Sequence, residues 1–95
     1  MTLLHTVNSD ASALTDCLSA LSQGDALLLM QNAVYALHSR PAELAILGSR
    51  NIRLFALHDD LAARGLDADA IDWVETASYD DFVALAARHS VCAWY

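Results

Sequence analysis

The sequence is short of basic residues, of long apolar runs and of chain breakers. Five basic residues stand against 12 acidic ones in a chain of 95, a formal net charge of −7. Phosphate binding draws on Lys and Arg to displace counterions, and no basic run occurs. Direct contact with nucleic acid by this chain, and docking to anionic lipid, are therefore disfavoured. The longest unbroken apolar run goes from Phe82 to Ala87, far short of the about 20 residues a membrane-spanning helix needs. The opening stretch MTLLH has neither the basic region nor the apolar core of a signal peptide. The expected location is the cytoplasm.

Recognisable site motifs are also missing. There is no GxSxG, GxGxxG or P-loop. The two cysteines, Cys17 and Cys92, form no CxxC and no metal-ligand spacing. Both are expected as free thiols in a reducing compartment. The histidines at 5, 38, 58 and 89 include no i, i+4 pair with an acid between them. Neither a metal nor a cofactor is expected. Without a linker, a repeat or a low-complexity segment, the chain reads as one domain, 1–95.

What is abundant is apolar side chain. Hydrophobic residues make up 56% of the sequence, against roughly 45–50% in an ordinary globular domain. A chain this short buries only about two-thirds of its unfolded surface. Some of the excess is expected in a subunit interface.

The apolar pattern alternates between strand and helix. Leu3-Val7 reads as a first strand. Ser9, Asp10 or Ser12 caps a helix whose apolar positions are Ala11, Leu14, Leu18 and Leu21, with Gly24 as its C-cap glycine. Ala26-Met30 is a strand covered on both faces. Gln31 to Leu47 reads as helix in two pieces divided near Pro41, with Gly48 at its end. Ile52-Leu57 is a third strand, Asp59-Arg64 a short helix ended by Gly65, and Ile71-Thr76 a fourth strand. Ser78, with Asp81 as capping-box partner, opens a helix through His89 whose apolar side is Phe82, Val83, Leu85 and Ala86. Val91-Trp94 is a last short strand. This alternation predicts an α/β fold: a small three-layer sandwich with a mainly parallel four- or five-stranded sheet and helices on both faces.

Ligands of open α/β sheets bind beyond the carboxyl ends of the strands. The polar clusters at expected strand ends are Asn8-Ser9-Asp10, Gln31-Asn32 and His58-Asp59-Asp60. Asn8, Gln31, Asn32, His58 and Asp59 are thus candidate pocket residues. The last cluster also has a local structural reading. Asp59 caps the following helix, Asp60 pairs with Arg64 four residues on, and Gly65 supplies a left-handed C-cap. His58 is left without a local role. Cys17 reads either as an inert small hydrophobe on the first helix or as a sulfur-handling thiol. Cys92 reads as structural, on the same strand face as Trp94. Val34, Tyr35, Trp94 and Tyr95 are candidate interface residues, the two terminal aromatics being suited either to an interface or to this chain's own sheet.

Taken in order, "LHTV" (4–7), "GDALLLMQNAVYA" (24–36), "LFALHDDLAARGL" (54–66), "YDDFVALAARHSV" (79–91) and the terminal Ala-Trp resemble the DsrH/TusB family over nearly the whole chain. The resemblance implies a small α/β subunit of a cytoplasmic sulfur-relay complex. Its partners would be TusC-like and TusD-like subunits in a heterohexamer with two copies of each. Persulfide sulfur would pass from a TusA-like donor toward a TusE-like acceptor and end as the 2-thio group of tRNA wobble uridine. The related DsrH subunit belongs to the DsrEFH complex of sulfur oxidation. The resemblance also implies that the principal active cysteine lies on the TusD-like partner, on a loop absent here. Cys17 matches a first-helix cysteine of DsrH-like members, which keeps an accessory sulfur-binding role in view. The chain departs from the family at 31–34, where Gln31-Asn32-Ala33-Val34 replaces a (Q/E)DGV run and loses the glycine. A small α/β ligand-binding module using His58, Asp59 and Asn8 is the rival reading.

Overall fold

The computed structural model describes residues 2–9, 12–66, 71 and 73–94. Five strands form one sheet: β1 (Leu3–Val7), β2 (Ala26–Leu29), β3 (Arg53–Leu57), β4 (Glu75–Ala77) and β5 (Ser90–Trp94). Their spatial order is β4-β3-β2-β1-β5, and every pairing is parallel. The helices are α1 (Ser12–Ala20), α2 (Ala36–Ser39), α3 (Pro41–Ala45), α4 (His58–Ala63) and α5 (Tyr79–Arg88), with 3₁₀ turns at Gln31–Tyr35 and Ile46–Arg50.

Strand order decides the layers. From β1 to β4 the chain moves steadily in one direction across the sheet, then returns past the whole sheet to β5. Parallel crossovers are right-handed, so α1 to α4 cover one face and α5 alone covers the other. The two cores reflect this. Val7, Leu14, Cys17, Leu27, Leu29, Leu54 and Leu61 pack on the many-helix face. Leu4, Leu28, Phe55 and Leu57 pack with Leu85 of α5 on the other. Residues 27–29 of β2, at the centre of the sheet, are fully buried. That is why this strand is an unbroken apolar run rather than an alternating one. Each leucine so buried contributes about 1.5–3 kcal/mol relative to exposure.

The α/β sandwich expected from the sequence is thus present, with five strands. Several local expectations are corrected. Helix α1 ends at Ala20, so Gly24 is not its C-cap. Gly24 instead takes φ +89° in the turn entering β2, its N–H bonded to the carbonyl of Asn51 at 3.0 Å. Gly48 does not end its segment either: Asn51, at φ 57°, adopts the left-handed conformation there. The fourth strand lies at Glu75–Ala77, later than the expected Ile71-Thr76, because only that stretch pairs with β3. Val83 is 65% exposed, since the sheet-facing stripe of α5 runs through Phe82, Leu85 and Ala86. Asp10 and Ala11 lie outside the described residues.

A ten-residue helix about 10 Å wide cannot cover five strands spaced about 4.8 Å apart. Grooves remain on both flanks of α5. One, of about 290 Å³, lies against β3 and β4 and includes Arg53, Glu75, Asp81 and Arg88. The other, of about 320 Å³, lies over the carboxyl end of β1 beside β5.

Candidate functional site

The buried polar groups gather at the start of β2, under β1 and β5. His5 is 1% exposed and Asp25 3%, in a core otherwise made almost entirely of hydrocarbon. Such groups are costly to bury unless they are hydrogen-bonded, and here they are. The Trp94 indole N–H faces His5 Nδ1 at 3.1 Å, and His5 Nε2 lies 3.0 Å from Asp25 Oδ2. An indole can only donate, so Nδ1 accepts and Nε2 carries the proton given to Asp25. The carboxylate also accepts the backbone N–H of Leu3 on Oδ1 and of Ser22 on Oδ2, each at 3.0 Å. Burial alone would raise the Asp25 pKa. The Leu3 and Ser22 N–H groups and the His5 ring outweigh it and hold the carboxyl below its ordinary value. The indole also stacks on the imidazole, centroids 6.2 Å apart at 24°.

Cys17 lies on the same sheet face and is fully buried in that core. Burial pushes its thiol up to about 12, with smaller contributions from the neighbouring Cys92 thiol and Asp25 carboxylate. A thiol of that kind is protonated at neutral pH, whereas the thiolate is the nucleophile. Cys92 is half-buried in β5, and both cysteines are free.

The polar clusters at the strand ends separate. Gln31 opens its 3₁₀ turn at φ 48°, and its backbone N–H is received by Asp60 Oδ2 at 2.7 Å. Arg64 reaches back from the end of α4: Nε and Nη2 donate to Asn32 Oδ1 at 3.1 and 2.9 Å, and Nη1 lies 3.7 Å from Asp60 Oδ1. Its guanidinium also sits 5.8 Å from the centre of the Tyr35 ring. Asp60 and Arg64 therefore clamp the turn after β2 onto α4. The Asp60–Arg64 pairing follows the sequence expectation, but Asp59 makes no capping bond. The helix begins at His58 itself, one residue earlier than expected, which leaves Asp59 already inside the first turn. Asp59 stands 3.4 Å from His58 Nδ1 with both side chains about two-thirds exposed, a contact worth little in water.

Of the candidate pocket residues, Asn8 and Gln31 meet in the groove beside β5. Asn32 is taken up by Arg64, and His58 and Asp59 do not line that groove. Of the candidate interface residues, Tyr35 is 43% exposed, whereas Val34 is fully buried because the 3₁₀ turn directs it into the core. Trp94 is half-buried and bound inward to His5 rather than projecting from the terminus. Tyr95 lies outside the described residues. Sequence reasoning missed His5 and Asp25. The available signal was a lone histidine inside an apolar strand and an acid directly before an all-apolar one. Among the described residues no group of three His, Cys, Asp or Glu is placed to hold a metal ion, and no helix is long and apolar enough to cross a membrane.

Comparison with known proteins agrees with this architecture. A family model described as DsrH like protein matches residues 8–92. Protein TusB of Shigella flexneri is 38% identical over 93 residues, covering 93% of this chain and 95% of the relative. Protein TusB of Escherichia coli (strain K12 / DH10B) is 38% identical over 98 residues, covering 97% and 100%. Protein TusB of Klebsiella pneumoniae (strain 342) is 38% identical over 93 residues, covering 93% and 95%.

Proposed function

The chain belongs to the DsrH/TusB family, and on that premise we propose that it is a scaffold subunit of a cytoplasmic sulfur-relay complex. In this reading residues 1–95 act as one domain that holds TusC-like and TusD-like partners, two copies of each, while persulfide sulfur passes toward 2-thiolation of tRNA wobble uridine. The reactive thiol is the partner's. The observation that carries the scaffold role is the state of Cys17, fully buried with its thiol pushed up to about 12. A relay thiol attacks the outer sulfur of a donor persulfide as a thiolate and must be reachable. Cys17 as placed is neither ionised nor reachable. The exposed apolar side chains Tyr35, Ile46, Tyr79, Val83 and Val91 supply surface for subunit contacts. The acidic balance, −7, suits a chain that leaves tRNA to other proteins.

The test is intact-mass spectrometry of the chain co-expressed with its TusC-like and TusD-like partners and incubated with a persulfide donor. Added sulfur is expected on the TusD-like subunit and none on this chain. One sulfur gained on this chain, and lost in Cys17→Ser, would overturn the scaffold reading in favour of a DsrH-type carrier. Failure to assemble with those partners would overturn the relay assignment.

A further inference from the structure

We infer that the groove between α5 and β5 is a binding site for a small uncharged molecule with an apolar body and an amide or carbonyl end. The first ground is an unsatisfied group. Thr6 lines the groove and is only 7% exposed, yet its hydroxyl has no hydrogen-bond partner among the described residues. A hydroxyl without a protein partner at the wall of a groove is free to bond whatever fills it, water or a ligand. The second is chemistry. Met30, Phe82, Val91 and Ala93 form apolar walls, and Asn8 joins Thr6 at the polar end. A bound carbonyl can accept from the Thr6 hydroxyl while an amide N–H donates to the Asn8 carbonyl oxygen. The third is charge. Among the described residues no ionisable side chain lines the groove, in a chain of net charge −7. The described lining offers an anion no cation and a cation no carboxylate. The fourth is position and size: the groove lies at the carboxyl ends of the central strands, where α/β sheets bind ligands. Its volume of about 320 Å³ falls at the small end of ligand pockets.

The site is separate from the relay chemistry above, which uses only Val91 at the groove's rim, as one of the exposed side chains for subunit contact. The probe is benzamide, with benzoate as its charged counterpart, titrated into the ¹⁵N-labelled full-length chain. The expected result is saturable millimolar shifts at the Trp94 indole N–H and the Val91 and Ala93 amides, with benzoate much weaker. Thr6→Val is expected to weaken benzamide about five-fold, the value of one neutral hydrogen bond. Thr6→Ser, which keeps the hydroxyl, is expected to bind like the parent. The inference is overturned if benzamide gives no saturable shift, if benzoate equals it, or if Thr6→Val binds unchanged. It is equally overturned if Thr6→Val weakens only co-purification with partner subunits, which would make the groove a seat for a polypeptide.

Discussion

Trp94, in the last strand, donates its indole N–H to Nδ1 of His5 in the first strand, 3.1 Å away. That one bond sets the tautomer with which His5 serves Asp25, and so ties the two ends of the chain to the turn before β2. It also accounts for an aromatic near a chain end being half-buried.

Trp94→Phe keeps a ring on the imidazole and removes only the donor. The expected loss is about 1 kcal/mol of stability. Hydrogen exchange should quicken in β5 well before it quickens in β2. Unchanged protection in β5 would show that strand pairing alone holds the edge.

Asp25 accepts three N–H donors on two oxygens, and an asparagine has one oxygen to offer. Asp25→Asn must turn its NH₂ toward a donor, so a loss of about 2 kcal/mol is expected near neutral pH. The pH dependence has a definite sign. The folded carboxyl is held below its ordinary value. Its stabilisation is therefore complete above the unfolded pKa of about 3.9 and disappears as pH falls through the lower folded value. Urea midpoints of the parent should drop through that acidic window more steeply than those of Asp25→Asn.

Cys17 has the opposite sign. Its folded pKa is raised from 9.0 to about 12, so its contribution is complete below pH 9 and lost as pH rises toward 12. At about 1.4 kcal/mol per unit the loss approaches about 4 kcal/mol. Cys17→Ala should start less stable, by about 1 kcal/mol for a small cavity, but show a flatter alkaline limb in equilibrium denaturation. With a thiol reagent at neutral pH, Cys92 should react first and Cys17 only on unfolding.

Gln31 occupies φ 48° without a glycine's freedom. Gln31→Gly should raise stability by about 0.5–1 kcal/mol, and Gln31→Val should lower it by at least as much. Both are read from denaturation midpoints. A less stable glycine variant would show that the Gln31 side chain contributes more than its left-handed backbone costs, since the N–H received by Asp60 is kept in glycine.

The helix opened by Ser78 was legible because its capping box is local: Ser78 Oγ accepts from the Asp81 N–H at 3.1 Å, and the Ser78 N–H returns to Asp81 Oδ2 at 3.0 Å. The helix stop at Gly65 and the Asp60–Arg64 pair were legible for the same reason, since every partner lies within a few residues. Asp59 was misread because the helix starts at His58, one residue before the cap was expected. Asp60 could be paired with Arg64 from spacing. Its second partner, the Gln31 N–H, lies 29 positions away and leaves no local mark.

By itself the sequence determined the alternation of strand and helix, the parallel sheet and the acidic, strongly apolar character of the chain, because composition is read directly and periodicity and caps are set by neighbours. Tertiary structure alone decided that α5 stands by itself on one face, since that follows from strand order. It alone brought together His5, Asp25 and Trp94, up to 89 positions apart. It alone left the Thr6 hydroxyl in a groove and sealed Cys17 in hydrocarbon. A side chain's partners and its access to water belong to the packed molecule, and a residue's type states only what it is able to do with them.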